Sequence, residues 1–201
     1  MRERPILFNT EMVKAILEGR KTCTRRAIKF SSGMTGRPIG KAGDSSNPLG
    51  VMYPGGIKRP PYQRGDILYV RETWCSAYDG EKYFYLADKL TNREERLLLN
   101  YDNVKWHPSI HMPKEATRIW LKATDVRVER LQEITETQAQ AEGGNSGLLT
   151  GPCTARGQFE NLWNSTIKKP DADKYGWSAN PWVWVIEFER CEKPRKENIN
   201  D

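Results

Sequence analysis

The sequence predicts an α+β fold in which a mostly antiparallel sheet curls into a small β-barrel flanked by short helices. Several short strands rich in β-branched and aromatic residues occur with two or three helices and without regular βαβ alternation, which favours an antiparallel sheet. In an open sheet, long and aromatic strands would leave edges whose unpaired backbone groups can pair with other chains. Closure into a barrel hides those edges.

The first predicted elements are a short strand, a helix and a polar turn. Residues 5–8 form the strand, and Asn9 or Thr10 caps the helix by accepting a hydrogen bond from its free N–H groups. The helix carries one apolar stripe, which consists of Met12, Val13, Ile16 and Leu17. Gly19 supplies the left-handed residue that ends the helix. The residues up to Arg26 therefore lie on a turn that leads into a strand over 27–30.

Strands dominate the rest of the chain, with helices between the last two. Gly65 and Asp66 form a turn that opens this region, and alternation of apolar and polar residues marks its longest strand. The predicted strands cover 67–74, its hairpin partner 83–86, the long strand 117–131 and the last strand 181–189. The predicted helices cover 135–143 and a segment around Phe159, Leu162 and Trp163.

The length of 201 residues predicts a single domain over residues 1–192. A segment at about 31–64 interrupts it, with seven Gly, five Pro, five cations and one acidic residue. We expect this segment to be a flexible basic insertion with a functional role, although a disordered insertion without a role is the alternative. Residues 193–201 are expected to be a disordered, charged tail.

The net charge of +6 is distributed unevenly along the chain. Residues 1–65 carry 13 Lys or Arg against 4 Asp or Glu, a net charge of +9, whereas the remainder has a net charge of −3. A cationic surface of this kind attracts phosphate, and nucleic acid is the commonest polyanion in a cell. The alternative is that these cations serve only solubility.

Several classes of protein are excluded by what the sequence lacks. No run of 18 apolar residues is present and the N-terminus has no apolar signal region, so we expect a cytoplasmic protein with no membrane partner. The four cysteines have no C-x-x-C spacing, which predicts reduced thiols. His107 and His111 have the spacing H-x-x-x-H, but Pro108 opposes a helix there and a third ligand is not evident. We therefore predict neither a metal nor another cofactor.

The most informative stretch is Gly-Arg-Lys-Thr-Cys-Thr-Arg-Arg over residues 19–26, which follows an amphipathic helix. Together with Gly65-Asp66 and the later segment Val-Arg-Glu-Thr-Trp over 70–74, it resembles the ASCH domain family, in particular its longer members from phages and prophages. The resemblance covers residues 4 to about 189, apart from the 31–64 segment. It implies a barrel similar to the PUA RNA-binding domain, with a cleft for nucleic acids or nucleotide-derived molecules.

The resemblance also implies site residues. One small ASCH protein is an amidohydrolase that removes the acetyl group of acetylcytidine, and its catalytic residues match Lys21, Thr24 and Glu72 in this chain. Another branch of the family is described as a ribonuclease. The cations of the two motifs and one aromatic residue are expected to bind the ligand, and these residues are Arg20, Arg25, Arg26, Arg71 and Trp74.

The chemistry of these side chains is compatible with amide hydrolysis. Thr24 offers a hydroxyl nucleophile, Lys21 a base if its pKa is lowered, and Glu72 a group that orients Lys21 or moves the proton. Arg26 suits a developing oxyanion or a phosphate, and Trp74 suits stacking on a base. Lys21 and Thr24 share a face only if the backbone turns between them. The alternative is a structural ion pair of Lys21, Arg26 and Glu72 with Thr24 capping a turn.

Three functions follow from this sequence. We expect a protein that binds RNA, another nucleic acid or a modified nucleoside in a basic cleft. The alternatives are a small amidohydrolase that deacylates a nucleoside such as acetylcytidine, and a ribonuclease. The sequence leaves open whether the protein is an enzyme.

Overall fold

The computed structural model describes residues 2–30, 36–40, 49–77, 82–88, 105–144 and 154–194. Within these residues the fold is α+β, with mostly antiparallel sheets and short helices, as the sequence predicts. The chain divides into two compact units. Unit 1 consists of Met1–Lys14, Asp66–Lys122 and Glu189–Asp201, and unit 2 consists of Ala15–Gly65 and Ala123–Phe188. Residues 195–201 of the expected tail lie outside the described part of the chain.

The described elements are ten strands and four α-helices, with short 3-10 turns between them. The strands are β1 (Glu3–Leu7), β2 (Cys23–Ala27), β3 (Arg37–Ile39), β4 (Gly50–Tyr53), β5 (Gly56–Lys58), β6 (Ile67–Arg71), β7 (Trp74–Ala77), β8 (Lys82–Tyr85), β9 (Trp120–Arg130) and β10 (Trp182–Cys191). The helices are α1 (Thr10–Leu17), α2 (Glu136–Ala141), α3 (Ala155–Thr166) and α4 (Ala172–Tyr175). None of these helices is long and apolar enough to cross a membrane.

In unit 1, β6 lies between β1 and the start of β9. The pairing of β6 with β9 is antiparallel, with Leu68 opposite Leu121, whereas β1 and β6 are parallel, with Ile6 opposite Val70. All four of these side chains are buried. The predicted segment 5–8 is therefore a strand of the sheet, shifted toward the N-terminus by two residues at its start.

The predicted strand 67–74 is two strands in the structure. β6 ends at Arg71, and β7 begins at Trp74 and pairs antiparallel with β8, the predicted hairpin partner. The chain leaves the sheet at Glu72, whose backbone N–H is directed to Sδ of Met112 at 3.2 Å. Glu72 is buried there, and the side chain of Arg118 compensates its charge. Because Arg118 lies far along the sequence, the alternation of apolar and polar residues does not show that the strand ends at Arg71.

In unit 2, β10 lies between β9 and β2. β2 pairs antiparallel with β10, with Thr24 opposite Ile186 and Arg26 opposite Trp184. The strand thus covers Cys23–Ala27 and not 27–30, and the polar motif lies on the strand itself. The prediction placed it on the preceding turn because charged residues do not show the apolar alternation of a buried strand.

The core of unit 2 is formed where β2, β10 and the helices α2 and α3 pack together. Thr135 and Thr154 cap these helices, since their side chains accept hydrogen bonds from Gln138 and Gly157. The buried core residues are Cys23, Leu131, Ile134, Ala139, Ala155, Phe159, Trp163, Trp177, Val183 and Val185. Both predicted helices of this region are confirmed.

The segment 31–64 contains structure that its composition does not predict. Its described residues include β3, β4 and β5, which form an antiparallel three-stranded sheet with Arg37 opposite Met52 and Met52 opposite Ile57. Residues 31–35 and 41–48 of the expected insertion lie outside the described residues. The three strands are only three or four residues long, too short to produce a detectable pattern.

Candidate functional site

The motif of residues 19–26 gathers around one carboxylate in unit 2, that of Glu142. The ammonium group of Lys21 donates to Oε2 of Glu142 at 2.7 Å, and also to the backbone oxygens of Glu142 at 2.9 Å and Cys23 at 2.8 Å. The side chain of Lys21 is 0% exposed and that of Glu142 is 4% exposed. Desolvated charges at this distance interact strongly, and the backbone acceptors satisfy the other ammonium protons.

Arg25 is the second cation held by Glu142. Its Nη1 donates to Oε1 of Glu142 at 3.2 Å, and its Nη2 donates to Oε2 of Glu129 and Oε1 of Gln138, both at 3.0 Å. The side chain of Arg25 is also 0% exposed. We call the group of Lys21, Cys23, Arg25, Glu129, Gln138 and Glu142 the Glu142 cluster.

Two local features of the backbone place these side chains. Side chains of a strand alternate between its faces, so Cys23 and Arg25 of β2 point the same way, and both contact Oε1 of Glu142. Lys21 lies just before the strand, where its backbone forms an isolated β-bridge with Glu142. Glu142 itself is the residue after α2, and Gly143 follows it in a left-handed conformation with φ of 102°.

Gly143 also allows close packing beside the cluster. A Cβ atom at this position would lie 2.9 Å from Cβ of Ala15 and 3.5 Å from Cβ of Lys21. The backbone oxygen of Gly143 accepts a hydrogen bond of 2.5 Å from Nη1 of Arg20, whose Nε also donates to Glu18. Arg20 is exposed and joins the Glu142 cluster to the surface of unit 2.

Thr24 is buried but does not face the same way as Cys23 and Arg25. It occupies the position between them on β2 and is therefore directed to the opposite face of the strand. The cluster thus brings together two predicted site residues, Lys21 and Arg25. Thr24 and Lys21 do not share a face through the strand geometry alone.

Burial controls the ionisation of two other motif residues. It raises the pKa of the Cys23 thiol, and the nearby Glu142 carboxylate raises it further, although Arg25 and Lys21 oppose this. Burial lowers the pKa of Arg26, while Tyr62 and Glu142 oppose the change. Cys23 is therefore a protonated, unreactive thiol at neutral pH.

Glu72 lies in unit 1, in a second arrangement of charges. Its carboxylate accepts two hydrogen bonds from Arg118, from Nε at 2.9 Å and from Nη2 at 3.0 Å, while Nη1 of Arg118 donates to both oxygens of Asp88 at 2.7 and 2.8 Å. Burial raises the pKa of Glu72, and the hydrogen bonds and charge of Arg118 oppose this change. One guanidinium therefore bridges a buried and an exposed carboxylate.

The guanidinium of Arg118 also stacks on an aromatic ring. It lies 3.9 Å from the ring centre of Tyr85, whose hydroxyl donates to the backbone oxygen of Ala116 at 2.6 Å. Burial raises the pKa of Tyr85 to about 12, and the charge of Arg118 opposes it. Tyr85 is therefore a neutral, fixed ring at physiological pH.

Trp74 and Arg71 of unit 1 were predicted to bind a ligand. Trp74 is half-buried and lies opposite Tyr85 in the hairpin, and its backbone also pairs with that of His107. Arg71 is half-buried, and its Nε donates to the backbone oxygen of Met112 at 2.7 Å. In this structure Arg71 thus anchors a turn, whereas Trp74 presents part of its ring to solvent.

Two residues of these arrangements were not predicted. Glu142 carries a signal in the sequence, because an acidic residue immediately after a helix opposes the helix dipole and calls for a compensating cation. Arg118 carries none: it lies within the predicted strand 117–131 and just before the observed β9, and the alternation of that segment does not indicate its partners. Its two carboxylate partners come from distant segments and only the fold reveals them.

Searches with models of protein families find none that matches this chain. No curated protein and no solved structure matches it either.

Proposed function

We propose that the protein binds RNA or a nucleotide-derived ligand in a basic cleft on a PUA-like barrel. The observation that carries this proposal is the exposure of the cations within Ala15–Gly65 of unit 2. Of the cations that the structure describes in this segment, five are exposed to solvent, namely Arg20, Lys29, Arg37, Arg59 and Arg64. Only two acidic residues occur in the same segment, Glu18 and Asp44, and Asp44 lies outside the described residues.

The Glu142 cluster supports the proposal by dividing the cations into two groups. Lys21 and Arg25 are buried, and the carboxylates of Glu142 and Glu129 compensate their charges. These two cations therefore hold the motif in place. The exposed cations that precede and follow them face solvent, where a contact with a phosphate group would release counterions.

Salt-dependent binding of a labelled RNA single strand tests this proposal. A strand of about 12 nucleotides is within the usual range of site sizes, and fluorescence anisotropy gives its Kd between about 50 and 200 mM salt. The triple variant Lys29→Gln, Arg37→Gln, Arg64→Gln should weaken binding. It should reduce the slope of log Kd against log salt by about 2, since each phosphate contact contributes about 0.7 on single strands.

A matched control is provided by three other exposed cations of unit 2. The triple variant Lys168→Gln, Lys169→Gln, Lys174→Gln removes the same charge outside the basic segment and should keep most of the affinity. Equal losses of RNA affinity in the two triple variants would mean that binding depends only on the net charge of the protein. Absence of salt-sensitive binding by the unchanged protein would contradict the proposal.

A second candidate, deacylation of a modified nucleoside, is favoured by one observation. The ammonium group of Lys21 is buried and fixed 2.7 Å from a carboxylate, as a positioned proton donor of an active site would be. In this reaction a water molecule would attack the acetyl carbon directly, or the hydroxyl of Thr24 would attack it and water would then hydrolyse the resulting ester. The amide C–N bond breaks, the departing amino group of cytidine takes a proton, and the products are cytidine and acetate. Arg26 would stabilise the oxyanion.

Incubation with acetylcytidine, followed by chromatography, tests the second candidate. Cytidine should form with the unchanged protein and not with Lys21→Ala, provided that circular dichroism shows the variant to be folded. If no cytidine forms while RNA binding is salt-sensitive, the binding function stands alone. The ribonuclease alternative is tested by incubating the protein with RNA under the same conditions. RNA that remains intact on a gel would rule it out.

A further inference from the structure

The β7–β8 hairpin of unit 1 carries a row of aromatic side chains that the proposed function does not require. Trp74 lies opposite Tyr85 on one side and pairs with His107 on the other. Residues directly opposite in antiparallel pairing share a face, so the three rings lie side by side across three chain segments. We call His107, Trp74 and Tyr85 the aromatic row.

Two rings of the row, Trp74 and His107, contact each other, and all three residues of the row are partly open to solvent. The ring centres of Trp74 and His107 are 5.1 Å apart with planes inclined by 32°, and Tyr83 meets Trp74 edge-on at 5.7 Å. His107 is exposed, while Trp74, Tyr83 and Tyr85 are half-buried. The opposite face of the hairpin is its core side, where Cys75, Ala77 and Phe84 are buried.

Cations accompany the row at both of its ends. Arg118 stacks on Tyr85 at one end, and Lys105, which is exposed, lies two residues before His107 at the other. The exposed carboxylate nearby, Asp88, is bound by Arg118 through both oxygens. Glu72 and Asp88 balance the charge of Arg118, so the positive charge beside the row is that of Lys105. The surface combines flat π-systems with an exposed cation, which suits bases joined by a phosphate backbone.

We propose that the aromatic row is a stacking platform for the bases of single-stranded RNA. This inference rests on the proposed function and adds its partner class and a contact surface in unit 1. Aromatic residues that lie across neighbouring strands of a sheet hold two or three unstacked bases in known RNA-binding modules. A duplex keeps its bases stacked inside and cannot use such a surface.

Anisotropy titrations with two probes test the platform. The first is an oligouridine strand of about eight nucleotides, and the second is an abasic strand of the same length. His107→Ala, at an exposed position, and Trp74→Leu, which keeps apolar volume in the hairpin, should each weaken binding of oligouridine about 5-fold or more. Neither substitution should change binding of the abasic strand.

Ile110→Ala is the matched control, because Ile110 is 59% exposed in the same unit and is not part of the row. It should leave the affinity for oligouridine unchanged. Unchanged oligouridine binding in His107→Ala, or equal weakening with both probes, would overturn the platform. If the triple variant of Lys29, Arg37 and Arg64 still reduces the salt slope in that case, the proposed function stands. Failure of the unchanged protein to bind either strand would overturn both.

Discussion

In unit 2, Nζ of Lys21 lies 2.7 Å from Oε2 of Glu142, although the two residues are 121 positions apart in the sequence. Both side chains are buried, and the same carboxylate also receives a hydrogen bond from Arg25. One acidic residue next to a helix thus compensates two buried cations of the motif. Removing the charge of Glu142 should therefore affect the stability of the protein differently from removing the charge of either cation.

Glu142→Gln should destabilise the protein more than Lys21→Met does. The first change removes the carboxylate that pairs with Lys21 and leaves Arg25 paired with Glu129 alone, whereas the second leaves Glu142 still paired with Arg25. Breaking a buried ion pair by removing one partner costs about 3–5 kcal/mol, and we expect Glu142→Gln in that range. Urea unfolding followed by circular dichroism gives both free energies of unfolding, and the reverse order would contradict this account.

Gly143→Ala should be more destabilising than Gly19→Ala. Both glycines have positive φ, so both changes carry the cost of a left-handed conformation, about 1–2 kcal/mol. At Gly143 the new methyl group would also lie 2.9 Å from Cβ of Ala15, whereas at Gly19 it would meet no atom within 4 Å. Thermal unfolding of the two variants checks the difference, and equal Tm values would show that the site relaxes without cost.

Glu72→Gln should change how stability depends on pH. Because burial raises the pKa of Glu72 in the folded protein, the folded state keeps this proton after the unfolded state has lost it. The contribution of Glu72 to the free energy of unfolding is therefore full below about pH 4.3, the unfolded value, and declines as the pH rises through the folded value.

Urea unfolding of both proteins between about pH 4 and pH 7 measures this effect. The stability of the unchanged protein should fall with rising pH relative to that of Glu72→Gln, which cannot titrate. Carbon-13 NMR of the Glu72 carboxyl assigns the transition. A difference that grows in favour of the unchanged protein as the pH rises would mean that Arg118 outweighs burial.

Alkylation should distinguish the cysteines by their burial. Cys23 and Cys75 are buried, and burial raises the pKa of both thiols, that of Cys75 to about 11. Cys191 is only half-buried. Among the three cysteines that the structure describes, iodoacetamide near neutral pH should therefore modify Cys191 first, and Cys23 and Cys75 only in denaturant, as read by mass spectrometry. Rapid labelling of Cys23 in the folded protein would show that the Glu142 cluster opens.

The comparison of prediction and structure shows which signals the sequence carries. α1, with its apolar stripe and Gly19, and α2, with the Thr135 cap, were predicted because helix signals are local. β2 was predicted four residues too late, since its buried faces carry charges that only Glu142 and Glu129 make acceptable. The hairpin of β7 and β8 was found, but its separation from β6 at Glu72 was not.

By itself, the amino-acid order determined the α+β class, the main helices and strands, and the concentration of positive charge in the first third of the chain. These properties depend on composition and on contacts within a few residues. Only the tertiary structure decided which carboxylate meets which cation: Glu142 holds Lys21 and Arg25, and Arg118 holds Glu72. Such pairs join segments 46 to 121 residues apart. An ion pair in a protein interior depends on the distance between the two charges in space, and local sequence patterns contain no information about that distance.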